Sequence, residues 1–142
     1  MTEGENMLKL IIGLKGTGKT KALIHMVDDA LASTKGEVVV IEKGTKLRFD
    51  INYQARLIDS DDFLVNDADA LYGFVAGILA GNHDVTDLFI DSSLKICNND
   101  LAAFDSLVTK LDVLVSRTGL NVVMTASVAE DAVSDNIKKY IG

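Results

Sequence analysis

At 142 residues, 48% of them hydrophobic, the chain is sized for one domain with a core that needs no disulfide or metal staples. A single cysteine, Cys97, excludes an internal disulfide, and two separated histidines, His25 and His83, make no zinc constellation. The net charge of −7 argues against non-specific nucleic-acid binding, although Lys43, Lys46 and Arg48 form a small local basic patch.

No apolar run approaches the roughly 20 residues of a membrane span. The polar, acidic opening Met1-Thr2-Glu3-Gly4-Glu5-Asn6 is unlike a secretory or organellar signal, so a cytoplasmic setting without membrane insertion is expected. Residues 1 to 7 read as a frayed leader to a single domain. Without proline, repeats or a Ser/Gly linker, nothing marks a second one.

Leu8 to Ile12 is a short apolar run ending at Gly13, the pattern of a buried strand. Leu23, Ile24, Val27, Ala30 and Leu31 then recur at helical spacing from Thr20, and Lys35-Gly36 forms a stop. Val38 to Ile41 is β-branched throughout, a second strand; residues 43 to 54 read as a loop. Arg56 to Ile58 suits a short edge strand. Asn66-Asp67 offers an N-cap to a helix reaching Ala80, with Leu71, Phe74, Val75, Ile78 and Leu79 on one face. Leu88 to Ile90 is a strand ending on Asp91. Leu101, Phe104, Val108, Leu111 and Val115 mark a helix closed by Gly119, Val122 to Thr125 a last strand, and residues 132 to 141 a short final helix. Strands alternating with crossover helices predict an α/β fold: a three-layer α/β/α sandwich with a mainly parallel sheet of four to five strands. Ligands of such sheets bind beyond the carboxyl ends of the strands, where both Gly13 and Asp91 fall.

Between the first strand and the first helix stands Gly13-Leu14-Lys15-Gly16-Thr17-Gly18-Lys19-Thr20, which meets the pattern Gly-x4-Gly-Lys-Thr in full. Its glycines let the backbone N–H groups turn inward around a phosphate, and the helix behind them adds its positive end. Gly13, Lys15, Gly16, Thr17, Gly18, Lys19, Thr20 and Lys21 are the candidate nucleotide-binding residues. Lys19 would reach the β- and γ-phosphates, and the Thr20 hydroxyl would ligate Mg2+.

Residues 8 to 34 resemble the Walker A segment of P-loop NTPases, and the chain as a whole is similar to a family of short bacterial ATP-binding proteins. That resemblance implies the P-loop NTPase fold with ATP and Mg2+ as its ligands. The extra lysine of the ParA type is absent, because Leu14 occupies its position. Asp91 resembles the Walker B aspartate, a second group for Mg2+, supported by Ser92 and Ser93. Many P-loop ATPases place a glutamate directly after that aspartate; Ser92 stands there instead. RecA-like ATPases carry their glutamate at the end of the strand after the P-loop helix, which nominates Glu42 as general base. Thr125 and Ser127 resemble the polar sensor position of that class, on a strand lying between those of Gly13 and Asp91. The same class would leave residues 8 to 12 at a sheet edge, covered by the tail or by a partner chain, a second copy included.

Thr109-Lys110-Leu111-Asp112 matches the guanine-recognition pattern of GTPases but lies within a helical period, so ATP is preferred. Arg48, Arg56 and Arg117 carry no finger or lid pattern, which implies slow intrinsic hydrolysis. Three functions follow: a slow Mg2+-dependent ATPase, a nucleotide-dependent binding module with little hydrolysis, or a small-molecule kinase using residues 43 to 64 as its acceptor site.

Overall fold

In the computed structural model, which describes residues 8–142, five strands form one sheet in which every pairing is parallel. The leader expected at residues 1 to 7 lies outside the described residues. In chain order the elements are β1 (Leu8–Gly13), α1 (Lys19–Ser33), β2 (Glu37–Glu42), β3 (Arg56–Asp59), α2 (Ala68–Gly81), β4 (Val85–Ile90), α3 (Ser93–Ile96), α4 (Leu101–Thr118), β5 (Asn121–Ser127) and α5 (Asp135–Lys138). Across the sheet the order is β1-β5-β4-β2-β3.

The period of two along each strand sorts its side chains onto two faces. Val38 and Val40 of β2, Phe89 of β4 and Val123 of β5 pack with Leu23, Val27 and Ala30 of α1. Val39, Ile41, Leu88, Ile90, Val122 and Met124 face the other way, against Leu71 and Val75 of α2 and Phe104, Leu107, Leu111 and Val115 of α4. Helices on both faces of a parallel sheet make the three-layer α/β arrangement.

The caps follow the expected chemistry. Asp67 accepts the Ala70 N–H at 2.7 Å to open α2, Asp100 accepts that of Ala103 at 3.0 Å to open α4, and Gly119, at φ 77°, closes α4. Residues 43 to 54 form the expected loop, and it adds Leu47 and Ile51 to the core on the α1 face. One expectation needs correction: the final helix is shorter than residues 132 to 141. Ser134 starts α5, capping it through Ile137 N–H, and the helix lasts one turn before the chain straightens beside β1.

That tail answers the edge problem at β1. Leu10 donates its N–H to Tyr140 O at 2.9 Å and accepts from Gly142 N–H at 3.2 Å, a parallel bridge to Ile141. Tyr140 OH donates to Asp112 of α4 at 2.7 Å, and Asn136 donates to Asp105 of the same helix at 2.5 Å, which fixes the tail laterally. The chain's own tail therefore provides, at Leu10, the cover expected from either the tail or a partner.

Candidate functional site

The segment between β1 and α1 is shaped by its glycines. Gly16 and Gly18 stand at φ 84° and 85°, a left-handed conformation that a side chain disfavours. At Gly13 a Cβ would meet Thr17 Oγ1 at 2.6 Å, so only glycine lets Thr17 fold back over the strand end. The loop curls around one acceptor, the carbonyl of Leu14. The Thr17 hydroxyl donates to it at 2.7 Å, the Thr17 N–H at 3.3 Å and the Lys19 ammonium at 2.9 Å. The Leu14 side chain itself is 61% exposed.

Behind the loop, α1 begins without a side-chain cap and without an acidic residue in its first turn. Its first N–H groups and the positive end of its dipole are thus left facing the loop, the arrangement that attracts anions. The ammonium of Lys19 adds a full charge at the same place.

Strand order brings Asp91 to this helix start, although the two are 71 residues apart in the chain. Thr20 of the first turn of α1 donates to the Asp91 carboxylate, 3.1 Å from Oδ1 and 3.3 Å from Oδ2. Thr125, on β5 between β1 and β4, donates its hydroxyl to Asp91 Oδ1 at 2.7 Å and accepts the Ser92 N–H at 2.8 Å. Ser93 Oγ donates in turn to Thr125 O at 2.8 Å. Thr125 is 2% exposed and its bond to Asp91 is buried, where a charge-assisted bond is stronger than one in water; the Thr20 and Ser92 ends are part-buried.

Glu42, at the end of β2, is 3% exposed, and both of its carboxylate oxygens accept the N–H of Leu47, at 3.1 and 3.3 Å. Burial is the main reason its affinity for a proton rises above that of an ordinary carboxylate. The Leu47 and Lys46 N–H groups oppose that rise, and the charges of Asp91 and Asp59 add to it. Beside it, Lys43 pairs with Asp61 at 2.7 Å.

These groups line one cleft of about 450 Å3 at the carboxyl ends of the strands. Of the residues singled out in the sequence, Lys15, Gly16, Gly18, Lys19, Thr20, Lys21, Glu42, Asp91, Thr125 and Ser127 all reach it, while Gly13 and Thr17 shape the loop from behind. Lys43 and Lys46 of the basic patch join them. Lys95 and Asn99 also line the cleft; sequence reasoning missed both, since neither belongs to a motif. Six lysines against two carboxylates make the cleft cationic in a molecule of net charge −7, which selects an anionic occupant.

The residues set aside in the sequence stay outside. Thr109 to Asp112 lies within α4, and the exposed His25 and His83 do not line the cleft. None of Arg48, Arg56 and Arg117 lines it either. Among the described residues no helix is long and apolar enough to cross a membrane. A scan against protein-family models and a search of curated proteins return no match for the chain.

Proposed function

We propose that the chain is a Mg2+-dependent ATP-binding protein of the P-loop, RecA-like kind, acting as a slow ATPase. The observation that carries this reading is the contact between the Thr20 hydroxyl, at the head of the glycine loop's helix, and the Asp91 carboxylate. The position of Thr125 and its strand between them also supports it. A phosphate chain in the loop would take the Lys19 ammonium from the Leu14 carbonyl, exchanging a neutral acceptor for a charged one.

Thr20 and Asp91 supply two adjacent hard oxygen donors. Among the described residues there is no group of three or more His, Cys, Asp or Glu able to hold a metal. Two protein oxygens fit Mg2+, which keeps waters and phosphate oxygens in its shell, better than a fully caged ion. Mg2+ held there would offset the phosphate charge. Thr125 would keep the Asp91 carboxylate oriented, and Glu42, with its raised proton affinity, would take the proton from the water that attacks the γ-phosphorus as the bond to the β–γ bridging oxygen breaks and ADP leaves.

A second reading, a nucleotide-held binding module with little hydrolysis, draws on two observations. Both oxygens of Glu42 are engaged by Leu47 N–H, so a water must displace that contact, and no arginine lines the cleft. Where an arginine finger operates it is worth roughly 10³ to 10⁵ in rate. The kinase reading is weaker, for want of an arginine-bearing lid.

The deciding experiment is calorimetric titration of ATP and GTP with Mg2+ against wild type and Lys19→Ala. ATP is expected to bind wild type and to lose at least about tenfold in the variant, the scale of one charge-assisted contact. Failure of both nucleotides to bind overturns the reading. Turnover by wild type separates the two modes, and Glu42→Gln tests the base: hydrolysis unchanged alongside unchanged binding removes Glu42 from that role.

A further inference from the structure

The cleft continues past the glycine loop. At the usual strand spacing the ends of β4 and β2 stand about 10 and 14 Å from β1, beyond the reach of the loop's own backbone. At those two strands the chain leaves in opposite directions. After β2, residues 43 to 55 turn onto the α1 face, where Leu47, Ile51 and Ala55 pack; after β4, Leu94 and Ile96 turn onto the α4 face. Adjacent parallel strands with diverging exits open a crevice between them, and ligands of such sheets settle there.

Each lip of this crevice carries a lysine that lines the cleft: Lys46 on the first, Lys95 on the second, with Asn99 four residues further on. Lys43 is neutralised by Asp61, whereas no carboxylate stands within ion-pair distance of Lys46 or Lys95 among the described residues. The carboxylates at the crevice floor are turned to other partners, Glu42 to Leu47 N–H and Asp91 to the two threonine hydroxyls. The floor of the crevice thus keeps its two carboxylates, held by neutral donors, while among the described residues the two ammonium groups of Lys46 and Lys95 stand unpaired at the lips, where an anion entering from solvent meets them first.

Both lips are held more firmly than simple connections require. Glu42 is buried at a cost in order to fix the N–H groups at the start of the first lip. The second holds Ser92 at φ 57°, a region that side-chain-bearing residues other than asparagine seldom occupy and that clusters at binding sites, and turns at Asn98 and Asn99, φ 59° and 57°, with the residue type that tolerates it. Its fixings are Ser93 Oγ on Thr125 O and Asn98 Nδ2 on Asn66 O, each at 2.8 Å.

We propose that Lys46 and Lys95, with the Asn99 amide, form a second anion subsite that binds the phosphate or carboxylate group of a small second ligand beside the nucleotide. The subsite rests on the nucleotide reading for its neighbour, but not for its own charge or shape. It gives the cleft two anionic occupants, one in the glycine loop and one between the lips.

The test is an NMR titration of labelled protein saturated with Mg2+ and a non-hydrolysable ATP analogue, adding inorganic phosphate or succinate at constant ionic strength. Saturable shifts are expected in the amides of residues 45 to 48 and 94 to 99. The midpoint should rise at least about tenfold in the double variant Lys46→Ala/Lys95→Ala and stay unchanged in Lys35→Ala, at the far end of the sheet. Tighter binding of one probe assigns the oxyanion class. Shifts that do not saturate, that are confined to residues 14 to 20, or that persist unaltered in the double variant overturn the subsite. Repeating the titration without nucleotide keeps the two readings apart. A response at the lips in a protein that binds no nucleotide refutes the nucleotide reading alone, and bound analogue with silent lips refutes the subsite alone.

Discussion

Thr125 is the sharpest place to test the hydrogen-bonded bridge at the centre of the cleft. Replacing it with valine preserves shape and removes one hydroxyl that donates to Asp91 Oδ1 and accepts from Ser92 N–H. A buried hydrogen bond to a charged group contributes about 1.5 to 3 kcal/mol, and an N–H left without a partner costs about 1 to 3 kcal/mol. Because one oxygen serves both, and the Ser92 N–H is only partly buried, the two do not add in full; about 2 to 4 kcal/mol is expected for Thr125→Val. Thr125→Ser keeps the hydroxyl and loses one buried methyl, about 1 kcal/mol. With a urea slope of about 1.5 kcal/mol/M, the valine variant should unfold about 1 to 3 M earlier than wild type, at unchanged slope. The assay is equilibrium urea unfolding followed by circular dichroism. A valine variant within about 0.5 kcal/mol of wild type, or a serine variant as damaged as the valine one, would refute the bridge as an energetic unit.

Three further outcomes are expected. Burial raises the folded-state proton affinity of Glu42 above its unfolded value, so its stabilising contribution is fully present below the unfolded pKa and is lost as pH rises through the folded one. Thermal melts from pH 4 to 7 should therefore show Glu42→Gln gaining on wild type as pH increases, and a constant difference would count against it. Burial, with Asp67 and Asp100 adding to it, pushes the Cys97 thiol up to about 12, so a thiol reagent at pH 8 should label it only at the rate of unfolding; rapid labelling of native protein contradicts that. Gly13→Ala drives a Cβ into Thr17 Oγ1 and should weaken ATP binding, read by calorimetry, by at least about tenfold, whereas Gly77→Ala, with open space around it, should leave affinity unchanged.

What the sequence reveals follows the range of the physics involved. Local chemistry is legible: the glycine spacing from Gly13 to Gly18, the cap at Asp67, the stop at Gly119 and the β-branched run of β2 all depend on near neighbours. Leu47 and Ile51 were hidden because two apolar residues in an irregular stretch make too short a period to indicate a face. The bridge from Thr20 through Asp91 to Thr125 spans 71 and 34 residues and exists only because β5 inserts between β1 and β4. Resemblance could nominate its members, but not the hydrogen bonds among them. Lys95 and Asn99 were beyond reach for a different reason: their place at the cleft depends on the left-handed turn at Ser92, a residue type that does not betray it, and although Asn98-Asn99 signals a turn, it does not say which way the chain then faces.

The single bridge between Leu10 and Ile141 has a practical consequence. β1 reads Leu-Lys-Leu-Ile-Ile, and an uncovered strand of that kind is a template for pairing with other chains. The guard over it is a few residues anchored by the Tyr140 and Asn136 side chains and by Leu10's two main-chain bonds. A purification handle fused after Gly142 would pull on that guard directly, and trimming the tail by a handful of residues would remove it. Preparations altered in this way should cloud on storage while their circular dichroism still reports an intact sheet.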